Sequence, residues 1–548
     1  MKRQNFGHVT IVVKKSHARI NELEQQLCRM ATALQVPLGV RNQQVDNILA
    51  SECGTTEQSL HAEAVRRSDL QVSSNATFLS QEQRGAPWKC KATSHILPSQ
   101  EFTPLPPKEE AIQLIHEVFR DFNAAFPLFD GPSFLRRVEV SYPAIKAEDT
   151  AWWACLNVVL TFALRLRALR ASGSQENEQA MWAYAKNALG VVHELQMSSP
   201  DLSTVQALLG MAIVLQGTPY SDICTSLLAN AIKAAQRLGI HRNFHGFHVR
   251  PNTQIDQEQQ KRVFWIAYFL DQDLSMRTGL PPTQYYDDMD IGLPLTTTEP
   301  RQGCTEDIRF FNYRIGLGII QGHIYSGLLS VKAMKETTEK RSLCIRELCT
   351  MLRRWKESLS VDLETFHYNR RFDTQHPSTV LHAIILQFSY FNSMLKIYQC
   401  ASSESSVTEE YLRTRGILQE TGEDVRTELV TEARKSVELL KIVPLGDNAC
   451  AWLLVGSVVP VVTVLLENVI EYPEHPLAHS DLQLIQPVLV FLEPLAREVE
   501  YDTAKRTYNR CMELTRGAKA VLDITQELNQ IIPTGTSINL GSSGWTLE

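Results

Sequence analysis

Residues 234–294 read AAQRLGIHRNFHGFHVRPNTQIDQEQQKRVFWIAYFLDQDLSMRTGLPPTQYYDDMDIGLP, and this stretch decides the fold. Its first part is an Ala-rich helical pattern that stops at Gly239, where a glycine just past the last apolar position marks a helix C-terminus. A polar loop containing Pro251 follows. The second part, KRVFWIAYFLDQDLS, is a helix whose densest apolar run holds Phe264, Trp265, Tyr268 and Phe269, which are expected in a core. Gly279 then supplies a turn, and the step Pro281-Pro282 ends the helical region.

Working outward, the same periodicity continues on both sides. Ile112, Ile115, Val118, Phe119 and Phe122 lie on one face of a first amphipathic helix, which runs into FPLFDGPSFL, read as a Pro/Gly turn between aromatics. Helices are expected near 149–170, 176–196, 202–216, 222–238 and 256–275, then near 306–334, 342–358, 377–399, 424–442, 449–470, 482–494 and 500–530. Strand-type alternation is nearly absent, so the predicted fold is all-α. Residues 108–532 form the helical domain, and 533–548 a disordered tail. Ahead of the domain, residues 37–107 are rich in Gln, Ser, Thr and Pro and read as a flexible linker. Residues 402–422 read as a surface loop with a short helical turn.

The N-terminal segment is different in kind. Residues 1–12 open a basic patch that extends through Lys14, Lys15 and Arg19 without an acid. Over 13–36 the apolar residues Ile20, Leu23, Leu27, Met30 and Leu34 alternate in steps of three and four, the spacing of a coiled-coil seam. So short a run is marginal alone, and an amphipathic helix packed on its own domain reads the same way.

Composition narrows the function classes. Hydrophobic residues make up 44% and the net charge is −7, so the body is a globular protein rather than a polyanion-binding surface. Residues 449–466 contain no charge and would span about 27 Å as a helix. Yet Gly456, Ser457, Pro460 and Thr463 interrupt them and the flanks are acidic, which favours a helix buried in the domain over a membrane span. The eleven cysteines contain no C-x-x-C pair, and no secretory leader opens the chain. The phosphate-loop, dinucleotide-binding, serine-hydrolase and zinc-protease signatures are all missing, so no enzyme activity is expected.

The ordered elements of 234–294 resemble the regulatory domain of fungal zinc-cluster transcription factors, the fungal-specific transcription factor domain. The family pattern falls on Leu238, Gly239, His241 and Arg242. It continues at Glu258, Lys261, Arg262, Val263, Phe264, Trp265 and Asp271, and closes at Gly279, Pro281, Asp288, Asp290, Ile291, Leu293 and Pro294. The segment KKSHARINELEQQL (residues 14–27) resembles the junction of basic linker and dimerising coil that follows the zinc cluster in this family. The resemblance implies a nuclear, all-α regulator of a pathway gene set, for instance in carbon use, drug response or secondary metabolism. It also implies a homo- or heterodimer paired through the coil, a small-molecule effector and no membrane.

Against that pattern, the cluster itself is missing. Two zinc ions held by six thiolates need paired cysteines, whereas Cys28, Cys53 and Cys90 stand alone before residue 100. No zinc or other cofactor is therefore expected in this chain. DNA binding is expected only if an upstream cluster exists or through a partner. Either a missing exon or a true loss accounts for the gap; in the second case the chain is a helical co-regulator that pairs with a full-length zinc-cluster factor. His241, His245 and His248 have spacing that metal sites use, but read better as loop histidines. Asp287, Asp288 and Asp290 read as a loop anchor rather than a divalent-cation cluster. Lys261, Arg262 and Arg277 are expected to pair with Glu258, Asp271 and Asp273 at helical spacing, the other reading being a ligand or partner site.

Overall fold

A computed structural model describes residues 102–123, 126–143, 148–170, 175–216, 221–243, 254–294, 308–368, 377–402, 422–441, 448–497 and 502–531. Ile20, Leu23, Leu27, Met30, Leu34, His245 and His248 lie outside these, as do residues 37–101 of the expected linker, the loop around 403–421 and the tail. The last residues of the expected linker, 102–107, are instead tied to the domain: Thr103 N–H bonds Asn187 Oδ1 at 2.9 Å, and Phe102 and Leu105 pack on apolar side chains of the core. Among the described residues the chain is all-α, without strands.

The order is α1 (Lys108–Asp121), α2 (Gly131–Ser141), α3 (Thr150–Arg170), α4 (Gln175–Leu189), the short α5 (Val192–Met197), α6 (Leu202–Gln216), α7 (Ser221–Leu238) and α8 (Gln254–Thr278). There follow α9 (Ile308–Ile324), the one-turn α10 (Val331–Met334), α11 (Thr338–Tyr368) and α12 (Pro377–Ser402). The last four are α13 (Gly422–Leu440), α14 (Asn448–Glu471), α15 (Ala478–Arg497) and α16 (Asp502–Ile531).

Three stretches differ from the sequence expectation. FPLFDGPSFL is more than a turn: α2 starts inside it, because the Asp130 side chain accepts the Ser133 N–H at 3.1 Å and Pro132 occupies the first helical turn, where no N–H is needed. The helix expected over 176–196 breaks between α4 and α5 at Gly190-Val191. The helix expected over 306–334 ends α9 in a π-turn, Tyr325–Leu329, and stops at Ser330. There the hydroxyl leaves the helical pattern to cap α10, accepting the Ala333 N–H at 3.1 Å.

Apolar side chains gather in two clusters. The first is built from α1 to α8 with one face of α9, and the second from the other face of α9 with α11 to α16. On α9, Phe311, Ile315 and Ile319 turn to the first cluster while Tyr313, Leu317, Ile320 and Ile324 turn to the second. A helix that is apolar all round must be covered all round, and α9 is the wall the two clusters share. It approaches α8 closely through Gly318 and Gly322, one turn apart; a methyl added at Gly318 would sit 2.6 Å from Phe269 Cβ. The uncharged stretch 449–466 belongs to α14, whose Val458, Val459, Val461, Val462, Leu465 and Leu466 are buried in the second cluster. No helix among the described residues is long and apolar enough to cross a membrane.

Candidate functional site

Residues 234–294 fold into a clasp around α8. Gly239 ends α7 with φ 73°, a conformation open to glycine, and Ile240 N–H reaches back to the Ala235 carbonyl at 3.2 Å. Gly279 does the same for α8 at φ 71°, with its N–H on the Ser275 carbonyl at 2.8 Å. From there the chain runs back along α8 as an irregular strap. An irregular segment must find partners for its backbone groups, and α8 supplies them. Asp271 Oδ2 accepts the Gln284 N–H at 2.9 Å, Gln272 Nε2 donates to the Gln284 carbonyl at 2.8 Å, and Trp265 Nε1 donates to the Gly292 carbonyl at 3.0 Å. Gln236 on α7 holds the Gln284 side chain at 2.8 Å, so strap, α7 and α8 lock through one buried glutamine.

The remaining motif residues take their places on this frame. Val263, Phe264 and Trp265 are buried, and Trp265 meets Tyr268 edge-on at 5.5 Å. The strap returns to the end of α7 where Asp290 Oδ1 accepts the Asn243 N–H at 2.7 Å and Asp290 N–H bonds the His241 carbonyl at 3.3 Å. Leu238, Ile291 and Leu293 pack partly buried on the first cluster, and Pro294 is buried. Arg242, Pro281, Asp287 and Asp288 are exposed, while Arg262 is half-buried. Lys261 pairs with Glu258 at 3.8 Å. Among the described residues Asp271 pairs with no cation in the way its spacing suggested; its carboxyl serves the strap instead, and burial pushes it up to about 6. His241, half-buried 6.3 Å from the Phe264 ring, is held below the usual histidine range by burial and by Arg242. Among the described residues, no three His, Cys, Asp or Glu side chains are grouped to hold a metal ion.

The C-terminal turns of α8 lead from the clasp to a cavity between the two clusters. About 70 Å³ is open to the centre of a water molecule, within roughly 860 Å³ of space that is partly continuous with solvent. Phe122, Phe126, Phe162, Leu270, Phe388 and Leu454 give it apolar walls. Asp273 and Arg277 of α8 reach it with Arg165 of α3 and Arg314 of α9. Asp273 Oδ1 takes the Ser389 hydroxyl at 2.6 Å and the Gln321 amide at 3.4 Å. Arg277 Nε stands 3.1 Å from Asp273 Oδ2, an ion-pair distance without the straight geometry of a hydrogen bond. The Arg314 guanidinium lies over the rings of Phe126 and Phe269, with centroids at 5.4 and 4.9 Å. Burial lowers its pKa to about 10, against the pull of Asp273.

Arg314, Arg165 and Ser389 are absent from the family motif residues. The signal for Arg314 was its place inside FFNYRIGLGII, a lone charge in an apolar helix, since a buried arginine costs free energy unless something pairs with it.

Residues 115–368, which hold the clasp and most of the first cluster, match the model of the fungal specific transcription factor domain. The chain carries that domain. Relatives extend the likeness beyond it. The ABC-transporter-regulating transcription factors of Aspergillus oryzae and Aspergillus fumigatus are each 36% identical over 454 residues, covering 80% of this chain and 49% of their own length. The fusaridione A cluster transcription factor fsdR of Fusarium heterosporum is 28% identical over 439 residues, covering 79% of this chain and 81% of its own. The chain thus spans about half the length of the two Aspergillus relatives. Within the matched residues lies the clasp, in which Trp265, Asp271 and Asp290 tie the strap to α8 and to the end of α7.

Proposed function

We propose that this chain is a nuclear regulator of transcription that controls the genes of one pathway, of the transport or secondary-metabolism kind. The observation that carries the reading is the domain itself, together with relatives named for a transporter and for a metabolite gene cluster. In this reading the helical body sets activity rather than reading DNA. The chain's net charge of −7 suits it poorly to a polyanion, and the cysteine spacing offers no thiolate pair for a zinc ion. Sequence-specific DNA contact then comes from outside these residues, through a segment or a partner chain bearing a zinc cluster, with residues 13–36 pairing two chains as a coil. The cavity beside Asp273 and Arg277 takes a small-molecule effector that biases the packing of the two clusters.

The cysteine spacing also favours a second reading, in which the chain is a co-regulator that reaches chromatin only as a heterodimer with a zinc-cluster factor. Co-purification of the tagged chain from nuclei, with and without residues 1–36, separates the two. Self-pairing with chromatin occupancy supports the first reading. A stoichiometric zinc-cluster partner lost with residues 1–36 supports the second. A chain found outside the nucleus, with no effect on transcripts, overturns both.

A further inference from the structure

The cavity between the clusters has a chemical bias that its packing does not explain. Its charged lining is three arginines against one aspartate, and the carboxylate of Asp273 is already engaged by Ser389, Gln321 and Arg277. Arg314 is only 7% exposed, and its Nη1 has no hydrogen-bond partner among the described residues. The Nε2 of Gln216, on the α6 side of the same cavity, is likewise buried without an acceptor among the described residues. Both orphan atoms are donors. A buried donor without an acceptor is costly, and a guanidinium more so; the aromatic faces under Arg314 offset part of its charge but accept no N–H in the plane of the group.

The rest of the wall asks for the opposite chemistry. Phe122 and Phe162 stack at 4.3 Å with their planes 21° apart, and Phe126, Phe388 and Leu454 continue an apolar surface. Open space of about 70 Å³ for water centres exceeds what one water needs, and the space around it continues to solvent.

We propose that this cavity binds a small apolar anion, an aromatic or branched aliphatic carboxylate, with its acid group on Arg314 and Gln216 and its hydrocarbon body among the phenylalanines. A planar carboxylate matches the guanidinium fork, and a desolvated pair of this kind discriminates strongly against neutral ligands. Metabolic acids and acidic xenobiotics share this chemistry. That such a ligand acts as an effector rests on the regulator reading above; that it binds rests on the cavity alone.

Three probes separate the elements of the site in calorimetry on the purified full chain. 2-Naphthoate carries both body and charge, 2-naphthalenemethanol the body alone, and acetate the charge alone. The naphthoate is expected to bind one per chain and at least about tenfold tighter than either control, roughly the contribution of one charge-assisted contact. Arg314→Met keeps the side-chain bulk without the charge, and should bring naphthoate to within about twofold of the alcohol. Ser457→Phe, which fills the cavity from α14, should abolish binding of both aromatics. Melting curves establish that each variant is folded, and the wild-type comparison stands without either variant. Equal binding of naphthoate and alcohol, acetate binding as well as naphthoate, or no binding of any probe would each overturn the proposal. So would an Arg314→Met chain that folds and keeps its preference for the acid. Because binding is measured without DNA or transcription, its failure leaves the regulator reading to its own test.

Discussion

Trp265 joins packing and hydrogen bonding in one side chain. It is buried against Tyr268 and donates to the Gly292 carbonyl of the strap. Trp265→Ala leaves a large cavity and is expected to cost about 3–5 kcal/mol. Trp265→Phe keeps much of the volume but orphans a carbonyl, costing about 1–3 kcal/mol. Chemical denaturation measures both, and an alanine variant as stable as wild type would remove Trp265 from the core. Asp271 predicts a pH dependence of definite sign. Its folded pKa, about 6, lies above the ordinary aspartate value of 3.8, so the folded chain takes up this proton first as pH falls. Its contribution to stability therefore rises from pH 7 to pH 5, by about 1 kcal/mol. The stability of wild type minus that of Asp271→Asn, followed over this window, isolates the term; a flat or falling difference toward acid contradicts it. At this scale the sequence was legible where partners are local. The Arg277–Asp273 and Lys261–Glu258 pairs lie within one helical turn. The role of Asp271 was not legible, because its partner Gln284 reaches it only when the strap folds back.

Among the elements, glycine decides how closely helices approach. At Gly318 an added methyl would meet Phe269 Cβ at 2.6 Å and its Cα at 3.0 Å, backbone that cannot yield without parting α9 from α8. Gly318→Ala is expected to destabilise by about 1–3 kcal/mol. Gly517, on an exposed stretch of α16, has nothing within 4 Å of the same methyl. There, alanine restricts the unfolded chain and should stabilise by about 0.5–1 kcal/mol. Thermal unfolding of the two variants should therefore shift in opposite directions, and a shared sign would mean that the α8–α9 crossing is looser than described. Most helices could be read from the period of their apolar residues. The breaks at Gly190 and Ser330 were missed because apolar periodicity runs straight across them, and α2 because its Pro/Gly start looks like a turn. A capping side chain ends or begins a helix without disturbing the hydrophobic pattern around it.

For the whole molecule, two clusters share α9 as a wall, and the cavity lies where they face each other. That the chain is all-α was plain from the sequence. That its apolar residues divide into two clusters with charged groups between them was not, since this depends on which faces of α8, α9 and α14 meet across long separations. Assembly is expected to reside in residues 13–36, beyond the described residues. Replacing both Leu23 and Leu27 with Glu puts unpaired charge into a coil seam and should abolish pairing. Sedimentation of the full chain decides, and an unchanged mass would leave this stretch an ordinary amphipathic helix. The central claim, control of one pathway's transcription, is tested most directly by chromatin occupancy of the tagged full chain, paired with transcript profiles after its deletion. The account predicts occupancy at a limited set of promoters whose genes belong to one transport or biosynthetic pathway and change when the chain is lost. Background occupancy with an unchanged transcript profile would contradict it.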